Sequence, residues 1–214
     1  MAKTRLRQAA TVGAVEHGNS AVLVTIASSG ELLDRRRIDL THDLPTHPYH
    51  HEGAWAMGRY LSSPWARPIS LGDAVSLVER VQAAAAHGAH EALEALASAV
   101  PIPIVSIAIR ACPELPPMIE ERIADNRAMT LADSVMYRRA LASAAEARGW
   151  TVYWYDRERV ARDASAAMGQ DIDALVDMMG RAIGPPWQAK HKLAATAAFA
   201  AIGCSTRRLS RGKR

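Results

Sequence analysis

"TVGAVEHG", residues 11–18, and "SAVLVTIASSGELLDRRRIDL", residues 20–40, decide the fold. The first segment predicts a strand. Gly18-Asn19 makes a tight connection, the apolar run after it predicts a second strand, and Ser29-Gly30 turns the chain into a third. Three strands joined by such short links form an antiparallel meander. In the third, Leu33, Arg35, Arg37 and Asp39 share one face and Leu32, Asp34, Arg36, Ile38 and Leu40 the other. So many charges on both faces suit a sheet edge and not its centre.

Beyond the meander the pattern changes to alternating helices and strands. "SLGDAVSLVERVQAAAAHGAHEALEALASAV", residues 70–100, has Ser70 as N-cap with Asp73 three residues on, and Val75, Val78, Val81 and Ala85 recur at helical spacing. His87-Gly88 predicts a break into two helices. "IPIVSIAIRAC", residues 102–112, reads as a strand buried on both faces. "TLADSVMYRRALASAAEARGW" (130–150) predicts a helix ending at Gly149, "TVYWYD" (151–156) a strand, and the chain after Arg157 is helical up to "GPPW". In the last helix, "QAKHKLAATAAFAAIGC", residues 188–204, Ala194, Ala197, Ala198 and Ala201 lack bulk, so it can lie close against a sheet.

With 214 residues, 49% of them hydrophobic, the chain can bury one core. The expected organisation is a basic arm at 1–10, one domain over 11–204 and a basic tail at 205–214. Cys112 and Cys204 are far apart with no CxxC, which argues against a disulfide scaffold or a cysteine zinc site. Together with the lack of any apolar run of about 20 residues, this leads us to expect a cytoplasmic protein without membrane association. The net charge is +4 and the pI about 9.3. Cations crowd the ends: Lys3, Arg5 and Arg7 at one, Arg207, Arg208, Arg211, Lys213 and Arg214 at the other. Such blocks attract nucleic-acid phosphates and are equally the composition of a solvated terminus. There is no GxxxxGK[ST], GxGxxG or GxSxG pattern, which removes the usual support for nucleotide binding and serine hydrolysis.

The order β-β-β-α-β-α-β-α is that of a ribonuclease H-like α/β fold, three layers around a mixed five-stranded sheet. "VGAVEHGNSAVLVTI", residues 12–26, resembles the first hairpin of RuvC-type resolvases, whose first strand ends in an acid, a proline and a glycine before an apolar return. "VYWYDRERVARDASAAMG" (152–169) and "GPPWQAKHKLAATAAFAAI" (184–202) are similar to the family's fifth strand, short helices, proline bend and final alanine-rich helix. The resemblance implies phosphodiester cleavage by two divalent ions, Mg or Mn, held by acids on the first strand, the fourth strand and the last helix. Glu16 matches the first. Arg110 stands where the fourth-strand acid belongs, and Lys190-His191-Lys192 where the last helix carries acids.

The expected catalytic residues are therefore Glu16, His17 and His191. "LPTHPYHHEGAW", residues 44–55, holds three of the eight histidines, and it lies in a stretch from 41 to 68 long enough to be functional or to carry short structure of its own. Folded back, it would complete a metal set of Glu16, His50, Glu52 and His191, with His47 and His51 beside it. The alternative is a polar loop whose histidines bond the backbone. Arg35, Arg37, Arg110, Arg138, Arg207, Arg208, Arg211 and Lys213 are the expected phosphate contacts, Arg138 and Arg139 lying on one helix with Tyr137. Trp154 and Trp187 suit packing more than base stacking. Two functions stand: a metal-dependent nuclease with an altered Glu/His ligand set, and a catalytically degenerate relative that binds DNA, RNA or a protein partner. An actin-like ATPase would need a second lobe and glycine-rich phosphate loops.

Overall fold

The computed structural model describes residues 9–211, with side chains placed as far as Cys204. Lys3, Arg5, Arg7, Lys213 and Arg214 lie outside the described residues, as do the side chains of Arg207, Arg208 and Arg211. The meander forms as the sequence predicts: β1 (Ala10–His17), β2 (Ser20–Ala27) and β3 (Leu32–Asp39) pair antiparallel. Gly18 and Gly30 take positive φ of 55° and 93° at the two turns, a conformation open to glycine without strain.

β4 (Ile104–Arg110) and β5 (Thr151–Tyr155) add in parallel to β1, giving the order β3-β2-β1-β4-β5. This is the mixed five-stranded sheet that the order of elements in the sequence predicts, with charged β3 at one edge. The apolar run in β4 follows from its place between two neighbours, and Thr11 Oγ1 and Ser106 Oγ, 2.8 Å apart, satisfy one another between β1 and β4.

On one face lie α1 (Leu71–Ala99), α2 (Ile119–Ala124) and α3 (Asn126–Ala147), packed on Val12, Ala14, Leu23 and Ile107. On the other lie α4 (Val160–Met168), α5 (Ile172–Ile183) and α6 (Ala189–Arg211), packed on Val15, Val22, Val24 and Ala108. The alanines of α6 allow the close approach foreseen for them: a Cβ on Gly13 would fall 1.8 Å from the Ala194 carbonyl oxygen. The backbone of α6 runs on to Arg211, so much of the expected tail continues the helix.

The break predicted at His87-Gly88 does not occur, and α1 is continuous over 29 residues. Gly88 serves contact, not bending, since a Cβ there would sit 2.3 Å from the Leu40 carbonyl oxygen. Ser70 caps α1 as its spacing predicts, accepting the Asp73 N–H at 3.1 Å. Between β3 and α1 the chain makes a π-helical turn, Tyr49–Gly53, running into Ala54–Ala56. No described helix is long and apolar enough to cross a membrane.

Candidate nucleic-acid interface

Strand alternation separates the residues expected to act together. Successive β1 side chains point to opposite faces; Ala14 belongs to the α1/α3 layer and Val15 to the α6 layer. Glu16 accordingly faces α3, where Arg138 Nε and Nη2 donate to its Oε1 at 2.8 and 2.5 Å. Both side chains are buried, 7% exposed for Arg138 and 9% for Glu16, and Arg138 Nη1 also donates to the Ala111 carbonyl at 3.2 Å. Arg138 is thus the fixed counter-ion of the first-strand acid and not an open phosphate contact. Arg110, at the end of β4, lines a cavity of about 610 Å³ together with Arg138, Tyr155 and Arg157. Arg139 is exposed and stacks its guanidinium 5.2 Å from the Trp154 ring centroid.

His17 and His191 meet on the opposite face. They line a cavity of about 540 Å³ with Arg35, Arg36, Arg37 and Lys190. Ser20, Val22, Pro186 and Gln188 complete the lining, and no carboxylate belongs to it. His191 is buried; its Nδ1 accepts the Gln188 N–H at 3.2 Å and its ring stacks on Trp187 at 5.8 Å. Burial, and then the charge of Arg35, hold its pKa below the usual imidazole value, so it is neutral near pH 7. Arg35 donates to the carbonyls of Gly184 (2.9 Å), Pro186 (2.6 Å) and Pro185 (3.1 Å), fastening the β3 edge to the bend before α6. Carbonyls carry no formal charge, so its cation stays uncancelled. Arg36 pairs with Asp34 at 2.6 Å and Arg37 with Asp39 at 2.9 Å, while Lys192 outside the cavity pairs with Asp177 at 2.6 Å.

The histidine loop is built around an acid that sequence reading missed. Asp133, on the buried stripe of α3, accepts the N–H of Tyr49 at 3.0 Å and of His50 at 3.1 Å, and Tyr137 one turn on donates to the Thr46 carbonyl at 3.0 Å. Burial pushes Asp133 up to about 7 against the pull of those two N–H groups. Its signal in the sequence is a carboxylate set among Met129, Ala132 and Met136, where the helical period calls for apolar residues. His47 lies 3.9 Å from Asp133. Desolvation lowers its pKa, with His51, His50 and His17 adding to the effect; desolvation, then His51, lowers that of His50. The Glu52 carboxyl is raised by burial, and its Oε2 is buried without a hydrogen-bond partner.

Glu16, His50, Glu52 and His191 are not assembled as a metal set. Among the described residues no group of three or more His, Cys, Asp or Glu side chains is placed to hold a metal ion. The donor chemistry points the same way: Glu16 is held by a guanidinium, Arg110 is a cation at the fourth-strand position, and His191 has one ring nitrogen already engaged. The residues present do not fit a two-metal centre.

No protein-family model and no curated protein matches the chain. Among solved structures it is similar in fold to a T. thermophilus RuvC in complex with a Holliday junction substrate, at 16% identity and a TM-score of 0.48, over 92% of this chain and 95% of that one. A second Thermus thermophilus RuvC structure is similar at 14% identity and a TM-score of 0.44, over 92% and 96%.

Proposed function

We propose that this chain is a cytoplasmic nucleic-acid-binding protein of ribonuclease H-like fold, in which ion pairs and cations stand in place of the two-metal cleavage centre. The carboxylate-free cavity of His17, Arg35, Arg36, Arg37, Lys190 and His191 carries the reading. Phosphate backbones bind where fixed cations lie close together with donors to spare, through charge-assisted hydrogen bonds and counterion release. Arg35 contributes a whole charge, positioned by three carbonyls. The two-metal alternative lacks the acids it requires, since Glu16 is committed to Arg138.

The test is an anisotropy titration of the full chain with duplex, single-stranded and branched DNA across a salt series. Binding should weaken linearly in log–log form, each phosphate neutralised on a duplex contributing a slope of about −0.9. Arg35→Gln together with Lys190→Gln should flatten it, and so should deletion of residues 207–214, which removes five cations. Absence of binding to any of these probes at low salt refutes the reading. Incubation with Mn²⁺ should leave all three probes uncut, and cleavage abolished by Glu16→Gln would restore the nuclease alternative.

A further inference from the structure

The connection between β3 and α1 carries a second surface that the cationic cavity does not use. Its outer part, residues 57–67, displays Met57, Tyr60, Leu61 and Trp65 to solvent, Trp65 at 74% and Tyr60 at 55% exposure. An exposed tryptophan and tyrosine on one connection are unusual in a chain with only 5% aromatic residues. This segment is also held in place. Arg59 donates to the Ile123 carbonyl at 3.2 Å and to that of Ala124 at 2.6 Å, and its own N–H bonds the Ala54 carbonyl at 2.8 Å. Tyr60, beside it, has φ of 55°, a left-handed conformation uncommon for a bulky residue and maintained only where its surroundings impose it. The clamp therefore turns the tyrosine ring outward.

Charge decides which partner this surface fits. Residues 53–72 contain Arg59 and Arg67 and no Asp or Glu. A second copy of the chain would bring the same cationic surface against it, whereas a polyanion complements it. The histidines lie between the two surfaces: His17 lines the cavity, a Cβ on the adjacent Gly18 would fall 3.6 Å from the His47 ring, the His47 and His50 rings each lie 5.5 Å from that of His51, and the His50 ring is 6.3 Å from Tyr60. A strand whose phosphates followed this row from the cavity would reach Tyr60.

We propose that Tyr60 and Trp65 form a stacking platform for unpaired bases, so that the protein engages single-stranded nucleic acid with its phosphates in the cationic cavity and its bases on this connection. The inference rests on the phosphate-binding reading of the cavity and adds the class of ligand. Bases offer their π-faces only when unpaired, and stacking on aromatic side chains is tolerant of sequence.

The experiment compares a short oligothymidylate with a blunt duplex of the same length, on the full chain and on Trp65→Ala, Tyr60→Ala and Trp65→Phe. Oligothymidylate should quench tryptophan fluorescence, and most of that quenching should vanish in Trp65→Phe while its affinity is largely kept. Each alanine variant should lose about tenfold in affinity for the single strand, with duplex affinity and its salt slope unchanged. Equal losses on both probes, or none on the single strand, overturn the platform while leaving the phosphate reading intact. An oligomer that Trp65→Ala dissolves, with single-strand binding unaltered, also overturns it and assigns the surface to self-association. Failure of both probes to bind overturns the platform and the phosphate reading together.

Discussion

Replacing Arg138 by methionine tests the Glu16–Arg138 pair, which carries the proposed reading that no two-metal centre forms here. The substitution keeps the stem's volume and removes three N–H donors in use, two to Glu16 and one to the Ala111 carbonyl. The Glu16 carboxylate, with 9% of its side chain exposed, is then buried without a counter-charge. Breaking a buried pair from one side costs about 3–5 kcal/mol. A ceiling exists, because an orphaned carboxylate can escape by taking up a proton, which for an ordinary glutamate at pH 7 costs about 4 kcal/mol. Loss of the Ala111 bond adds about 1 kcal/mol. Arg138→Met should therefore destabilise the fold by about 4–5 kcal/mol at pH 7. The deficit should shrink as pH falls toward 5, because the orphaned carboxyl then protonates more cheaply in the variant.

Glu16→Gln strands a guanidinium instead, which cannot discharge, so its deficit should vary little over the same range. The double variant Glu16→Gln/Arg138→Met leaves no charge behind and should recover much of the loss, as neutral replacements of buried ion pairs often do. Urea denaturation of the four proteins at pH 5, 6 and 7 measures the cycle. Single variants each within 1 kcal/mol of the parent, or losses that simply add in the double variant, would refute the claim that the pair is buried and coupled.

Asp133, held near 7 by burial, is a carboxyl whose folded value is raised, so the folded state binds more protons than the unfolded one between about pH 4 and 7. Its contribution to stability is largest at low pH and declines as pH rises through that window, at no more than about 1.4 kcal/mol per unit. The stability difference between the parent and Asp133→Asn should follow this slope and level off above about 7.5; a constant difference from pH 5 to 8 would contradict it. Gly88→Ala should destabilise by about 2–3 kcal/mol through collision with the Leu40 carbonyl, although alanine on an open helix face gains about 1 kcal/mol over glycine. A stabilised Gly88→Ala protein in thermal melts would show that α1 does not approach Leu40.

The sheet was legible because its signals are local. β-branched runs bounded by Gly18-Asn19 and Ser29-Gly30 fixed the meander, and β4 declared its central place by being apolar on both faces. Gly88 was misread because a helical glycine is ambiguous in one dimension: the same residue breaks a helix or admits a neighbour's backbone, and only the Leu40 carbonyl decides. The site was harder for the same reason. Glu16 and Arg138 are 122 positions apart, and Asp133 lies 84 from Tyr49. No periodicity links such pairs, though polar residues on the buried stripe of α3 were a warning that partners waited elsewhere. His17 and His191 do share a cavity, whereas Glu16, one residue away from His17, faces the other layer by the alternation of a strand.

On the proposed reading, what the fold can bind follows from the sign of the field at the end of the sheet where β1 and β4 stop. A two-metal centre must hold four positive charges close together, which only converging carboxylates make tolerable. Here the one first-strand acid is cancelled by Arg138, β4 ends in Arg110, and α6 begins with Lys190 ahead of His191. At an effective dielectric of about 20, one fixed cation about 8 Å from a divalent ion opposes it by about 4 kcal/mol, enough to lower its occupancy roughly a thousandfold. The same cation draws a phosphate with half that energy, and draws it cooperatively with its neighbours because a nucleic acid presents phosphates in series. Ion pairing on one face and clustered cations on the other thus act in one direction. On the proposed reading, no cleavage is expected while Glu16 is paired with Arg138 and Arg110 and Lys190 stand at the ends of β4 and α6, because a field of this sign favours phosphates over divalent ions.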